Sequence, residues 1–394
     1  MNRNRWAVLA MCAAALTNAV LQSFNAPRSD DITFLEWALV RVDDPNTPFF
    51  RPPPFPGWRP ANASVWWVSA VVDGARGLAP QVSVALFWLV AWGALTRWAD
   101  TRWGRGAGLW TGALLLVSAP FRDLVCWRSW NTTAGELAGI GVALLALESG
   151  VTWVAIAAGS LATWFKEPAI LVVPTAALFV YRKPWVALSV AVAGGAGFVR
   201  AIADDLPAGN SLVGILDGIR FYGWTMLRLV WPAVAAVLAV GWYVRRSKAE
   251  NAAASARDRP MIAVLASALA LAVLYPTRNE AYAAEAIAVG AGLAGAVFAG
   301  LGRPWVLLLT LLASAWSLPS SLGNARWQAA RLTRLQLAFA ELRVRPVGAW
   351  KLAEDADDDD RWLALRLRYD LGVPEALGDW PATGKLVVLD SEAK

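Results

Sequence analysis

The chain has no histidine and only two cysteines among its 394 residues. Without imidazole, any acid–base chemistry falls to Asp, Glu, Lys, Tyr or Cys. Cys12 lies inside the first apolar stretch and Cys126 in a loop, without CxxC spacing. That excludes a disulfide framework and a Cys/His metal site, and both cysteines read as small buried hydrophobes. No P-loop, GxGxxG, HExxH or EF-hand pattern is present, and no tetratricopeptide period. Charge is scarce as well, at 17% of residues, against roughly 25% in an ordinary soluble domain.

What the chain has instead is apolar surface. It is 57% hydrophobic, with a mean hydropathy of +0.43. A soluble core of this size cannot absorb that excess, so lipid is the expected solvent. Tryptophan is abundant, with 24 residues. Trp6, Trp98, Trp103, Trp153, Trp185, Trp242 and Trp305 stand at the ends of apolar runs, the pattern of aromatic belts at the headgroup level. The net charge of +6 does not point to nucleic acid, because the basic residues fall in short loops rather than on one face.

Runs near membrane length predict helices over 6–24, 80–97, 107–121, 131–148, 151–165, 168–182, 184–200, 222–244, 260–276, 281–300 and 304–320. The fold class expected is an all-α multi-pass membrane protein of about eleven transmembrane helices. The start, Met1 to Arg5 followed by an apolar run to Phe24, lacks a clear A-x-A site and reads as an uncleaved anchor. Arg97, Arg102, Arg105, Arg182, Lys183, Arg245, Arg246 and Arg303 fall on one side in alternating loops. The positive-inside rule makes that side cytoplasmic, with the N-terminus inside and the C-terminus outside. The expected location is a bacterial inner or plasma membrane.

This topology sends Asp30, Asp31, Asp123, Lys166, Glu167, Arg278 and Glu280 to the outer face from separate loops. One-sided convergence of charge suggests an active site at the membrane surface; a transporter more often places polar groups at mid-membrane. The outer loop 25–79 reads as a capped, amphipathic helix beginning at Ser29, then a rigid proline-rich stretch from Arg51 to Trp58, then a helix over 62–74. The module 1–320 precedes a polar segment, 321–394, which is expected outside the membrane. It has a helix around 325–343, an acidic run at 355–360 and a strand-like 385–389, enough for a small α+β cap.

Most candidates have competing readings. Asp30 and Asp31 are either N-terminal caps for the surface helix, a general base near a low-dielectric boundary, or oxygen ligands for a divalent cation such as Mg or Mn. Asp123 either pairs with Arg122 or Arg128, or supplies a second acid. Lys166 and Glu167 interrupt a long apolar run; the lysine either snorkels or meets a phosphate. Arg278 can grip a phosphate bidentately, and Arg228, placed slightly inside the membrane, is a further candidate. The sequons at Asn62 and Asn131 are short matches with little weight. Trp58, Trp66, Trp67, Trp127 and Trp130 either anchor at the interface or stack on sugar rings.

Four ordered motifs carry a family resemblance. These are the acidic pair Asp30-Asp31 after the first span; Arg51-Pro52 in the same loop; Pro120, Asp123, Val125 and Trp127 after the third span; and Lys166-Glu167 heading a run to Pro174. Over about residues 1–200 the chain resembles the GT-C superfamily of membrane glycosyltransferases, nearest the polyprenyl- or dolichyl-phosphate-mannose protein mannosyltransferases. The resemblance implies sugar transfer from a polyprenyl-phosphate donor to a protein, lipid or glycan acceptor on the outer face. By that resemblance Asp30 or Asp31 is the base, with Asp123 a further acid, and Lys166 and Arg278 stabilise the leaving phosphate, with Arg228 in a lesser role. Glu167, Glu280, Arg51 and Arg128 are supporting residues. The competing readings are a transporter or flippase of a lipid-linked saccharide, and a non-catalytic membrane scaffold.

Overall fold

The computed structural model describes residues 3–23, 25, 29–44, 46, 59–126, 131–209, 215–221, 252–274, 283–301, 304–353, 356–376 and 386–390. The chain is mostly helical. In order come α1 (Arg3–Ser23), α2 (Ser29–Asp43), α3 (Pro60–Asp73), α4 (Leu78–Trp103), α5 (Arg105–Val117), α6 (Ala119–Arg122), α7 (Asn131–Glu148), α8 (Thr152–Phe165), α9 (Ala169–Thr175) and α10 (Pro184–Gly209). After these come α11 (Ala252–Leu274), α12 (Ala284–Leu301), α13 (Pro304–Val344) and α14 (Asp358–Leu371). Strands β1 (Val347–Lys351) and β2 (Val387–Asp390) form a two-stranded antiparallel sheet.

Turns between successive apolar helices are too short for anything but reversal. Gly104, at φ +97°, ends α4 and lets α5 start at once. Gly150, at φ +79°, does the same between α7 and α8. Only a residue without Cβ adopts these angles without strain. The helices therefore run up and down, and the bundle has two ends. One carries the start of α4, the α5–α7 connection, the α8–α9 junction and the start of α12. The other carries the α4–α5, α7–α8 and α9–α10 turns.

Among the described residues one helix, α4, is long and apolar enough to cross a membrane. Several others are apolar but run only 10–17 residues, including Gly106–Val117, Thr152–Phe165 and Ala169–Val180. The runs expected at 107–121 and 168–182 are thus shorter as regular helix. Pro120 cannot continue the ladder of α5, and Pro174 removes an N–H late in α9, which widens into a π turn over Ala176–Val180. The run expected at 222–244 lies outside the described residues.

The main core joins α4, α5, α7, α8, α9, α10, α11 and α12 around Trp88, Leu95, Trp98, Leu137 and Val173. Trp98 is fully buried, and its indole donates to the Tyr181 hydroxyl at 2.9 Å. It is core and not part of an aromatic belt, whereas Trp153 and Trp185 are exposed at helix starts as a belt requires. Small residues set the closest approaches. A Cβ on Gly139 of α7 would lie 2.7 Å from the Ala158 carbonyl and 2.7 Å from the Ala162 methyl of α8. Gly139→Leu must therefore push the two helices apart. We expect a loss of about 1–3 kcal/mol, read as a lower melting temperature of the full chain in detergent; an unchanged melt would refute this packing.

A second core lies beyond the bundle. Ile32, Phe34, Leu35 and Trp37 of α2 pack with Trp66 of α3, Leu335 and Phe339 of α13, and Trp362 of α14. Trp66 is fully buried and stacks on Phe34 at 5.5 Å between centroids. It is a core residue, so the reading of it as a sugar platform fails. The helix expected around 325–343 is the second half of α13, continuous with the apolar stretch before it. The acidic run has a local use: Asp357 caps α14 by accepting from the backbone N–H groups of Asp359 and Asp360.

Candidate active site

The site is built at the bundle end shared by α3, α7, α8, α9 and α12. Lys166 occupies the break between α8 and α9 in extended conformation, and Pro168 starts the next helix. That break turns Lys166 and Glu167 to different partners, as neighbouring residues must be. Glu167 forms a buried bidentate pair with Arg59: Nε donates to Oε1 at 2.8 Å and Nη2 to Oε2 at 2.9 Å. Lys166 Nζ donates to Glu285 Oε1 of α12 at 3.1 Å and lies 3.6 Å from Glu136 Oε2 of α7. All five side chains are buried.

Two carboxylates thus face one ammonium, beside a pair that is already neutral. Such a group ties α3, α7, α8, α9 and α12 together and is intolerant of losing its cation. It also contains polar atoms without a described partner. Both amide atoms of Asn62, fully buried one turn after Arg59, make no hydrogen bond among the described residues. Buried unsatisfied polar groups are rare, and they mark places where water or a ligand belongs. Because Asn62 is fully buried, its sequon is not a modification site in this fold.

Asp30 and Asp31 sit in the first turn of α2. Successive helix residues differ by about 100° in direction, so the two carboxyls part company: Asp31 is buried and Asp30 is exposed. Partial burial pushes the Asp30 carboxyl above its usual range, the Arg59 guanidinium opposes that rise, and Asp358 of α14 adds to it. Asp30 is thereby linked through Arg59 to Glu167, the neighbour of Lys166. Asp30 is exposed, whereas Arg59, Glu167, Lys166, Glu136 and Glu285 are all buried. Among the described residues, no group of three or more His, Cys, Asp or Glu side chains is placed to hold a metal ion, so Asp30 and Asp31 find no third such ligand there.

Asp123 lies at the same end, in the 3-10 turn Asp123–Cys126. Its carboxylate accepts from Arg122 Nε at 3.0 Å, the Arg122 partnership anticipated from sequence. This turn is fastened to the start of the chain: the amides of Asn18 and Asn25 donate to the carbonyls of Arg122 and Val125. Arg51, Arg128, Arg228, Arg278 and Glu280 lie outside the described residues, as do Trp58, Trp127 and Trp130. Sequence reasoning missed Arg59, Glu136 and Glu285. Arg59-Pro60 is a second Arg-Pro step in the loop where Arg51-Pro52 was singled out, and it is Arg59 that reaches Glu167. The two glutamates were legible as ionisable residues inside apolar spans.

Solved structures share this fold. ArnT from Cupriavidus metallidurans bound to undecaprenyl phosphate matches with a TM-score of 0.56 and 16% identity, over 87% of this chain and 72% of that one. Apo ArnT from the same organism gives a TM-score of 0.55 and 16% identity, over 86% and 71%. At that identity the likeness is one of fold: the chain shares the architecture of ArnT. The mannosyltransferase branch gains no support from it. No protein-family model matches the sequence, and no curated protein does.

Proposed function

We propose that the chain is an integral-membrane glycosyltransferase that moves a sugar from a polyprenyl-phosphate donor to a hydroxyl acceptor at the outer face. The observation that carries this reading is the union of an ArnT-like fold with a buried polar group at one end of the bundle, bordered by the exposed carboxylate of Asp30. The ArnT neighbour is described with undecaprenyl phosphate bound. The charged groups Lys166, Glu136 and Glu285 lie at helix ends rather than mid-span, which favours surface chemistry over a mid-membrane transport path.

In this mechanism Asp30 accepts the proton of the acceptor hydroxyl. The acceptor oxygen bonds to the anomeric carbon, the bond from that carbon to the phosphate oxygen breaks, and the polyprenyl phosphate leaves with the bonding electrons. Arg59 keeps positive charge beside Asp30, which favours its ionised form. Lys166, and Arg278 outside the described residues, are the candidates to meet charge developing on the leaving phosphate. The lipid tail lies along the apolar helices. The membrane module 1–320 supplies the donor site, and α14 of the segment 321–394 brings Asp358 near Asp30.

The test is turnover of the full chain in nanodiscs, supplied with radiolabelled polyprenyl-phosphate sugars and a panel of hydroxyl acceptors. Release of polyprenyl phosphate that depends on acceptor supports the reading. No release with any donor, despite a cooperative melt, contradicts it.

A further inference from the structure

A second polar site lies away from the lysine and its glutamates. Where α4 begins, the turn Gly74–Arg76, the last turns of α13 and helix α14 enclose a cavity of about 440 Å³. Its polar lining is Arg76, Gln336, Arg343, Arg366 and Asp370. Three guanidinium groups face one lining carboxylate; Asp73, near Arg366, is engaged by the backbone N–H groups of Leu78 and Ala79. Counting both acids, the cavity still carries excess positive charge. Arg366 is held rigidly, paired with Asp370 and stacked over the Phe339 ring at 3.8 Å. Arg343 is exposed and has no ion-pair partner among the described residues.

The position of the cavity says what kind of anion belongs in it. Leu78 lines it and is the first residue of α4, the helix apolar enough to span a bilayer. From Leu78 an exposed apolar ridge continues at Val82, Leu86 and Val90, at intervals of one helical turn. Val71 and Val72 of α3 are exposed beside its start. A basic cavity at the head of an apolar ridge matches a phosphate group followed by acyl chains. Arginine suits this use, since its planar fork grips phosphate oxygens bidentately.

We propose that this cavity binds a phosphate group, supplied either by the headgroup of an anionic membrane lipid or by a soluble phosphate. None of its lining residues belongs to the proposed transfer site, and the proposal does not rest on that chemistry. The experiment is native mass spectrometry of the full chain in detergent, titrated with phosphatidylglycerol or with phosphatidylcholine of the same acyl chains. A parallel melt is run with inorganic phosphate. Arg76→Gln/Arg343→Gln removes two lining charges; Arg326→Gln/Arg334→Gln removes the same charge from α13 at two residues that do not line the cavity. If the double variant fails to fold, Arg343→Gln alone replaces it, because that side chain is exposed.

A lipid source predicts a preference for phosphatidylglycerol of about thirty-fold in the wild type, roughly five-fold for each of Arg76 and Arg343, with Arg366 already paired to Asp370. That preference disappears in Arg76→Gln/Arg343→Gln and persists in the control. A soluble source predicts no lipid preference, but a phosphate-dependent rise in melting temperature that the lining variant loses. If neither response distinguishes the lining variant from wild type, the site is overturned.

Discussion

Replacing Asp30 with Asn should lower sugar transfer by about 10²–10⁴, the usual contribution of a positioned general base. The geometry makes a sharper demand than loss of activity. Burial raises the Asp30 carboxyl above its usual range. A group whose folded pKa is raised adds stability that is fully present below its unfolded value of about 3.9 and is lost as pH rises through the folded pKa. At neutral pH the ionised Asp30 therefore opposes folding. Asp30→Asn should leave the melting temperature unchanged or higher while transfer collapses. The same shift fixes the acid limb of the wild-type pH profile: transfer falls as pH drops through a pKa above that of an ordinary aspartate. Asp31→Asn is the contrast. Asp31 is buried in the α2 core, so its replacement should lower stability and transfer together. If Asp31→Asn alone abolishes transfer without a change in melting, the roles of the two aspartates are reversed.

Lys166→Met has the second large effect. It leaves Glu136 and Glu285 buried without their cation, and stripping one partner from such a group costs about 3–5 kcal/mol. Glu285→Gln should be nearly silent by itself, because Lys166 still faces Glu136. Lys166→Met/Glu285→Gln removes one charge of each sign and should regain much of the lost stability. That refolded double variant separates two roles for the lysine. With Lys166 at the leaving phosphate, it stays deficient in donor turnover despite a near-normal melt. Full turnover in the double variant would make Lys166 a structural tie between helices and nothing more.

The sequence revealed which loops matter more readily than which side chains meet. The start of α2, the Lys166-Glu167 break and the helix after Pro60 were legible, because caps, prolines and charges inside apolar runs leave local signals. Pairing was not legible. Arg59 and Glu167 are 108 residues apart, and Lys166 and Glu285 are 119 apart. No local rule chooses Arg59-Pro60 over Arg51-Pro52. Tryptophan misled for a related reason. An indole at the end of an apolar run reads the same whether its helix face is exposed, as at Trp153, or core, as at Trp98. The cavity beside Arg343 had no sequence signature at all, since its arginines come from three separate elements.

The central claim is that a polyprenyl phosphate seats its headgroup at the α3, α8–α9 and α12 end of the bundle. Photolabelling of the full chain with a polyprenyl phosphate that carries a diazirine next to the phosphate, followed by peptide mapping, tests this directly. The account predicts adducts around residues 165–169 and the first turn of α12, reduced by unlabelled polyprenyl phosphate. Adducts confined to the opposite end, around Trp103, Glu148 and Tyr181, would contradict it.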